Sequence, residues 1–472
     1  MSRGARERRR QAISKREIRY EGPVGLLLLW LLVFVRFCCW GVQYWPQLDD
    51  YIQYHNYTAY HPDIWDWIMK LGLLAARPLA GLLDVFWWSR FFSVMILAVA
   101  LLSLLYAASG WLFRWVWSRY FGTGWLFLVI YALLPLGIEG TYWVSASSRI
   151  VVGLFLVSVC MAAFQRWCEK GQPAMLVLCW AAQLAAFCLY EQVLVLGITG
   201  VCLLALLQCR KNLRRAAAAL LTFLNVALYF GFTALFSSGV YSGRMQLQLP
   251  TSPGYWSDFL PTILHQVWDA FWHAGWAILG KGFMRGMQLL GQQGNWWYFP
   301  VILLLCGVLM WHVHVRGKGQ NHQPVLALVV GFLMALAPVT PFFVLDNPWF
   351  SLRGTVTSFC GLALMADTVL AWVLRRVVWQ RGITAGVCGV LSLVFCLSAV
   401  SEIYDYRATY QNDQQVLQLL CQETQNGTMY EKSAHVGILG VEPSFLTDQN
   451  YFYHEHIQIG RASCRERVLY TV

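Results

Sequence analysis

Apolar residues recur along this chain in runs of about 17–22 residues, and the short segments between the runs carry most of the charge. A helix of about 20 residues rises about 1.5 Å per residue and therefore crosses the hydrocarbon core of a bilayer. The pattern predicts an all-α polytopic membrane protein with about eleven transmembrane helices. These predicted spans are 23–42, 91–112, 121–138, 150–164, 174–189, 193–207, 216–236, 298–315, 324–345, 354–374 and 383–400.

The composition agrees with this class. Of the 472 residues, 58% are hydrophobic and only 12% are charged, which is too little charge for an ordinary soluble protein. The formal net charge is +11, but the basic residues lie in short segments between the apolar runs. Because that distribution follows the positive-inside rule, it reports orientation, and we expect no nucleic-acid partner. The basic tail 1–20 is predicted to be cytoplasmic and the C-terminus extracytoplasmic.

Two long segments on the predicted outer side separate the apolar runs, namely 44–89 and 237–297. In the first segment, apolar residues within 63–75 recur at helical spacing and predict an amphipathic helix on the membrane surface. In the second segment, Trp268 and Trp272 belong to an apolar helical face that lies opposite charged residues. That segregation favours an interfacial helix over an additional span.

Past residue 402 the composition turns polar, which separates a transmembrane domain at 21–402 from a soluble extracytoplasmic segment at 403–460. Helical periodicity at 405–425 and an apolar run at 435–441 predict one helix and one strand of a small α/β piece. One helix and one strand cannot bury a core alone, so we expect this piece to be truncated. The last residues, 461–472, are predicted to be a non-native tail.

Two adjacent carboxylates, Asp49 and Asp50, follow the first apolar run directly. Ionisable residues at the ends of membrane spans are costly to place and tend to be functional. Five further candidates lie at span ends on the same predicted side: Glu139, Tyr142, Arg149, Glu191 and Arg353. A carboxylate can take the proton from an acceptor hydroxyl, and arginines can hold a phosphate leaving group. The pattern therefore predicts catalytic Asp49 and Asp50, with the other five residues binding substrate.

Each candidate also has a structural interpretation. Asp49 and Asp50 could cap the helix of the first loop, and Glu139 and Glu191 could be solvated loop charges or structural partners of Arg149. A divalent metal ion held by one of the two aspartates is an alternative to a base role, and no other cofactor is expected. The histidines at 435, 454 and 456 lack the spacing of a metal site.

The topology carries a resemblance to a known family. A cytoplasmic N-terminus, one span, Asp49 and Asp50 early in a long outer loop, an amphipathic helix in that loop and a soluble C-terminal piece resemble the GT-C superfamily of integral-membrane glycosyltransferases. The resemblance covers the topology of nearly the whole chain, and its local motif is the acidic pair. It implies a GT-C-like fold and a polyprenyl-phosphate-linked sugar as donor. It also implies that Asp49 or Asp50 stands at the catalytic centre, as a base or as a metal-site residue.

The expected function is therefore an inverting glycosyltransferase of a bacterial plasma membrane. It would move a sugar from the polyprenyl-phosphate donor to a glycan or lipid acceptor of the cell envelope, on the extracytoplasmic face. A flippase or transporter for a lipid-linked or small solute is an alternative, but it would need charge along a path at mid-membrane. A polysaccharide polymerase or ligase is another, and it would place its basic residues in a large late loop. The acidic pair in the first loop favours the transferase.

Overall fold

A computed structural model describes residues 22–56, 63–75, 77–236, 247–316, 323–345 and 350–425. Within these ranges the secondary structure is helical, with no β-strand. The predicted tail 1–20, the predicted strand 435–441, the histidines of the C-terminal segment and the tail 461–472 lie outside the described residues.

The eleven predicted spans correspond to eleven apolar helices, labelled here in chain order. They are α1 (Gly22–Cys38), α2 (Trp88–Phe121), α3 (Trp125–Tyr142), α4 (Val144–Lys170), α5 (Pro173–Phe187), α6 (Glu191–Cys209), α7 (Leu213–Leu235), α8 (Tyr298–Arg316), α9 (Pro324–Phe343), α10 (Leu352–Arg376) and α11 (Gln380–Gln425). Within the described ranges, nine are long and apolar enough to cross a membrane, and α1 and α5 are shorter. The prediction of an all-α polytopic membrane protein is confirmed.

Helix α4 runs between two ends of the bundle that differ in charge. It has 27 residues, so it rises about 40 Å from its first residue to its last. We call the end where α4 begins the acidic end and the end where it stops the basic end. The acidic end holds Asp49, Asp50 and Asp84, and the basic end holds Arg119, Lys211 and Arg215.

Glycines end the two longest helices of the first half of the chain at the basic end. Gly122 follows α2 with φ of 65°, and Gly171 follows α4 with φ of 68°. This left-handed conformation suits glycine, which has no Cβ to clash with the backbone. Each glycine N–H donates back to a carbonyl of the last turn, Ser118 in α2 and Trp167 in α4. A single glycine therefore ends each helix, so the local sequence determines both chain reversals.

A glycine also allows a close approach of two helices, α9 and α10. A Cβ on Gly361 would overlap the carbonyl oxygen of Gly331 and the backbone of Ala335. Because only glycine leaves that space, the two backbones pack against each other directly, as helices do at small-residue positions in membranes.

The two long loops contain helices of their own. In the first loop, the expected amphipathic helix spans Ile64–Leu71, and a second helix spans Pro78–Phe86. In the second loop, residues 255–292 are continuously helical. Trp268 and Trp272 are exposed on that helix, and large aromatic side chains of this kind are typical of membrane interfaces.

Helix α11 crosses the predicted boundary at 402 without a break. It runs as one helix from Gln380 to Gln425, so the segment after 402 begins as a direct extension of the last span. Helical periodicity at 405–425 is confirmed, whereas no described residue tests the α/β piece. As a consequence, polar residues of α11 lie at the acidic end of the bundle.

Large apolar side chains cover the outer faces of α7, α8 and α9. The exposed ones include Phe223, Leu228, Leu304, Trp311, Val329 and Phe332. A continuous apolar surface of this size would promote aggregation in water, but lipid chains cover it without cost. The chain is an integral multi-pass membrane protein.

Candidate active site

Asp50 is a fully buried carboxylate that fastens the segment after α1 to the start of α4. Its Oδ2 accepts hydrogen bonds from the Tyr44 hydroxyl at 2.6 Å and from the Gln47 amide at 2.9 Å. Its Oδ1 accepts one from the Ser145 amide at 3.1 Å. Burial raises the pKa of Asp50 to about 7, and the three donors oppose that rise. With both oxygens engaged, Asp50 positions the backbone around it.

Two buried tyrosines complete this anchor. The ring centroids of Tyr44 and Tyr142 lie 5.1 Å apart, and the Tyr142 hydroxyl accepts a hydrogen bond from the Trp45 amide at 3.1 Å. The Tyr44 hydroxyl accepts one from the Val144 amide at 3.0 Å. Burial raises the pKa of Tyr44 well above its usual value. Tyr142, predicted to bind substrate, therefore supports the loop from inside the bundle.

Asp49 differs from its neighbour in exposure and in partners. Its side chain is half-buried, and no described residue forms a hydrogen bond or an ion pair with its carboxylate. It lies close enough to the Arg149 guanidinium for the two charges to interact. The short helical turn that carries it, Leu48–Asp50, is held by the Asp50 anchor. Of the acidic pair, Asp49 is the carboxylate with free oxygens.

Beside Asp49, Arg149 forms an ion pair with Asp84. The Arg149 Nη2 donates to the Asp84 Oδ2 at 2.5 Å. The Tyr54 hydroxyl lies 3.5 Å from the Asp84 Oδ1 and 3.3 Å from the Ser148 hydroxyl. Burial raises the pKa of Asp84, and the Arg149 guanidinium opposes the rise. A buried charge pair therefore joins the first loop to α4 near Asp49.

Glu191, at the start of α6, pairs with Arg77 of the first loop. The Arg77 Nε donates to the Glu191 Oε1 at 2.9 Å and the Nη2 donates to the Oε2 at 2.7 Å. The guanidinium also lies 4.4 Å from the Tyr190 ring centroid. Arg77 is near enough to Asp84 for their charges to interact. The predicted structural pairing of Glu191 with Arg149 is therefore wrong, because Glu191 pairs with Arg77 and Arg149 pairs with Asp84.

Glu139 pairs with Arg353, at the start of α10. The Arg353 amide donates to the Glu139 Oε2 at 3.2 Å, and the Arg353 Nε lies 3.9 Å from the Oε1. The guanidinium of Arg353 lies 5.7 Å from the Trp143 ring centroid. Glu139 is therefore also not the partner of Arg149, and its carboxylate is buried.

The predicted residues thus fall into two groups at one end of the bundle. Asp49, Asp50, Tyr142 and Arg149 surround the start of α4. Glu191 joins them through Arg77 and Asp84, and Glu139 with Arg353 forms a separate pair beside Trp143. The arrangement is a mixed-charge cluster of mostly buried side chains, in which the half-buried Asp49 carboxylate forms no hydrogen bond with a described residue.

Sequence reasoning missed two residues of this region, Asp84 and Arg407. Asp84 is the only acidic residue in the apolar helix Pro78–Phe86, and a lone charge in an apolar run was the available signal. Arg407 lies on α11 with its guanidinium 5.6 Å from the Trp40 ring centroid and 5.9 Å from that of Trp45. No described residue forms a hydrogen bond or ion pair with it. It was missed because residues past 402 were assigned to a separate segment.

The residues present do not fit a metal site. Both oxygens of Asp50 already accept hydrogen bonds, and the positive charge of Arg149 beside Asp49 opposes a cation there. Among the described residues, no group of three or more His, Cys, Asp or Glu side chains is placed to hold a metal ion.

Two cavities on the described surface lie away from Asp49. One is an open apolar groove along α8, lined by residues including Leu304 and Trp311, and the other is a polar cavity at the basic end. Neither is lined by a predicted site residue. Comparison of the chain with protein-family models, curated proteins and solved structures found no match.

Proposed function

We propose that this protein is an inverting glycosyltransferase of the GT-C type, which uses a polyprenyl-phosphate-linked sugar at its acidic end. One observation carries the proposal: Asp49 is a half-exposed carboxylate with free oxygens, held on a turn that Asp50 fixes to α4. A general base needs this combination of an open oxygen and a rigid backbone. The resemblance of the topology to GT-C enzymes supports the same assignment.

In the proposed reaction, Asp49 accepts the proton of the acceptor hydroxyl as that oxygen attacks the anomeric carbon of the sugar. The bond between the anomeric carbon and the phosphate oxygen breaks, and the lipid phosphate leaves as an anion. A single displacement of this kind inverts the anomeric configuration. The proton on Asp49 then passes to solvent, which restores the base.

The leaving phosphate needs a cation near Asp49, and Arg407 is the first candidate. Its guanidinium stacks on Trp40 and Trp45, and Trp45 belongs to the segment that leads to Asp49. The Gln47 side chain donates to the Tyr406 carbonyl at 3.0 Å, which fixes α11 beside that segment. Stacking on aromatic rings leaves the N–H groups of an arginine free to bind phosphate. Arg353 is the second candidate.

A transporter is the second candidate function, because charge is also buried within the bundle. Arg36 donates to the Thr141 hydroxyl at 3.3 Å, while its Nε and Nη1 have no hydrogen-bond partner among the described residues. Both oxygens of Glu402 are buried without one as well. These side chains lie near the same end as Asp49, since Arg36 is in the last turn of the first span. A transport path would need such groups at mid-membrane, so this arrangement favours the transferase.

The test is rescue of a strain that lacks the gene, read out by mass spectrometry of its surface glycans. Wild-type protein should restore a glycan that the deletion lacks. Asp49→Asn should fail to restore it at a normal protein level, because the amide cannot accept the proton. Arg407→Gln should restore it partially, with a loss of about tenfold or more from one charge-assisted contact to phosphate.

Asp66→Asn is the matched control for Asp49→Asn. Asp66 is a carboxylate of the same loop, but it is exposed and pairs with Lys70 on the loop helix. This variant should restore the glycan fully. Full restoration by Asp49→Asn would refute the base assignment, and an unchanged glycan profile in the deletion strain would refute the function.

A further inference from the structure

The basic end of the bundle contains a polar cavity that the proposed reaction does not use. Its volume is about 440 Å³, and its walls come from the ends of α2, α4 and α6, from the segment that joins α6 to α7, and from the start of α7. Residues 145 and 165 of α4 mark the two ends, and twenty helical residues separate them by about 30 Å. The cavity therefore lies about one bilayer thickness away from Asp50.

Three neutral side chains on one wall of the cavity satisfy one another. The Tyr120 hydroxyl donates to the Gln165 Oε1 at 2.5 Å and accepts from the Gln208 Nε2 at 2.6 Å. The Gln165 amide nitrogen donates to Glu169 at 2.8 Å. Because these side chains form hydrogen bonds with one another and with Glu169, they shape the cavity more than they attract a charged ligand.

The cationic side chains are the groups of this cavity that remain available to bind a ligand. Arg119, Lys211 and Arg215 line it together with one carboxylate, Glu169, which leaves an excess of two positive charges. The Arg215 Nη1 donates to the Cys168 and Glu169 carbonyls, each at 3.1 Å, so this guanidinium is held in place. The Arg119 Nη1 lies 3.7 Å from the Glu169 Oε1. Among the described residues, Lys211 forms no hydrogen bond or ion pair through its ammonium group.

We propose that this cavity binds the phosphate group of an anionic ligand, either the headgroup of a phospholipid or free phosphate. A fixed guanidinium beside an unpaired ammonium matches the charge and the acceptor geometry of a phosphate monoester or diester. The volume is that of a small-molecule site. The inference is independent of the proposed transferase, because no residue of this cavity belongs to the acidic end.

Binding is tested on the purified full-length protein in two parallel measurements. In the first, native mass spectrometry counts lipids that stay bound after extraction from vesicles of phosphatidylcholine with a minor fraction of phosphatidylglycerol. In the second, the thermal unfolding midpoint is followed as inorganic phosphate is added at constant ionic strength. Retention of phosphatidylglycerol identifies a headgroup ligand, and a saturable phosphate shift identifies free phosphate.

The chain offers a matched pair of double variants in one short segment. Lys211→Gln with Arg215→Gln removes two charges from the cavity, whereas Arg210→Gln with Arg214→Gln removes two exposed charges that do not line it. The first pair should weaken binding by at least about tenfold, and the second should leave it unchanged. Arg119→Gln with Lys211→Gln repeats the test and keeps the bonds that Arg215 makes to the end of α4.

Three results would overturn the inference. Equal loss in the cavity pair and the control pair would mean that general surface charge attracts the anion. Full binding by both cavity variants would mean that the site lies elsewhere. A wild-type protein that retains no phosphatidylglycerol and shows no saturable phosphate shift would mean that the cavity holds neither ligand.

Discussion

Asp50 couples proton binding to stability, because it is a buried acid with a raised pKa. Its folded-state pKa is about 7, against a usual value of 3.8. Between these values the folded protein binds more protons at Asp50 than the unfolded chain does, so the contribution of Asp50 to stability is fully present at low pH and falls as the pH rises toward about 7. The slope for one such group is at most about 1.4 kcal/mol per pH unit.

Asp50→Asn should remove this contribution. We expect the difference in unfolding midpoint between wild type and variant to shrink or reverse from pH 5 to pH 7.5, measured by thermal unfolding in detergent. The variant should also lose stability at low pH by about 1–3 kcal/mol, because the Asn amide cannot accept from all three donors that contact Asp50. Parallel midpoint curves for the two proteins would show that Asp50 does not titrate in this range.

At the residue scale, the sequence identified the acidic pair but could not divide its roles. Asp49 and Asp50 are adjacent, identical in type and equally placed relative to the first apolar run. Their roles separate because Tyr44, Gln47 and the distant Ser145 all donate to Asp50. Glu139, Glu191 and Arg149 show the same limit. Their side of the membrane was predicted, but their partners depend on the packing of loops that carry little periodicity.

Among the elements, the first loop is joined to the start of α6 by a bidentate ion pair between Arg77 and Glu191, in addition to its contacts with α4 through Asp50 and Asp84. Both side chains are mostly buried, at 22% and 23% exposure, and the Arg77 fork makes two charge-assisted hydrogen bonds. The pair connects the start of the helix Pro78–Phe86 to the start of α6. It therefore fixes the helix that presents Asp84 to Arg149.

A double-mutant cycle measures this connection. Arg77→Gln and Glu191→Gln should each lower the free energy of unfolding by about 1–3 kcal/mol, and the double variant should lose clearly less than the sum. The exposed pair Asp66 and Lys70 of the same loop is the control, with side chains at 56% and 73% exposure. Its variants should leave the unfolding midpoint unchanged. Additive effects at Arg77 and Glu191 would contradict the coupling.

The elements that were predicted correctly are those with long apolar runs in the sequence. All eleven apolar helices were predicted, because each needs a continuous apolar run whatever its neighbours are, and nine of these helices are long and apolar enough to cross a membrane. The Pro78–Phe86 helix was not predicted as a separate element because a mostly apolar segment of nine residues resembles the approach to the next span. The boundary at 402 marked a change in composition, but the backbone of α11 continues through it, since polar residues extend a helix as readily as apolar ones.

At the scale of the whole molecule, the proposed function requires the acidic end to face away from the cytoplasm. Arg119, Lys211 and Arg215 line the cavity at the other end, and the positive-inside rule predicts that this end faces the cytoplasm. Val42 and Leu213 mark the two ends, and their exposures are nearly equal, at 70% and 68%. They therefore form a matched pair of labelling positions.

Val42→Cys and Leu213→Cys should respond oppositely to a membrane-impermeant maleimide applied to intact cells. The first should react, because it lies at the acidic end, and the second should react only after the membrane is permeabilised. Peptide-level mass spectrometry identifies the labelled position, so the native cysteines, most of which are buried, can stay in place. The opposite pattern would put Asp49 in the cytoplasm. It would then exclude transfer on the extracytoplasmic face, even if the fold and the anchor at Asp50 were unchanged.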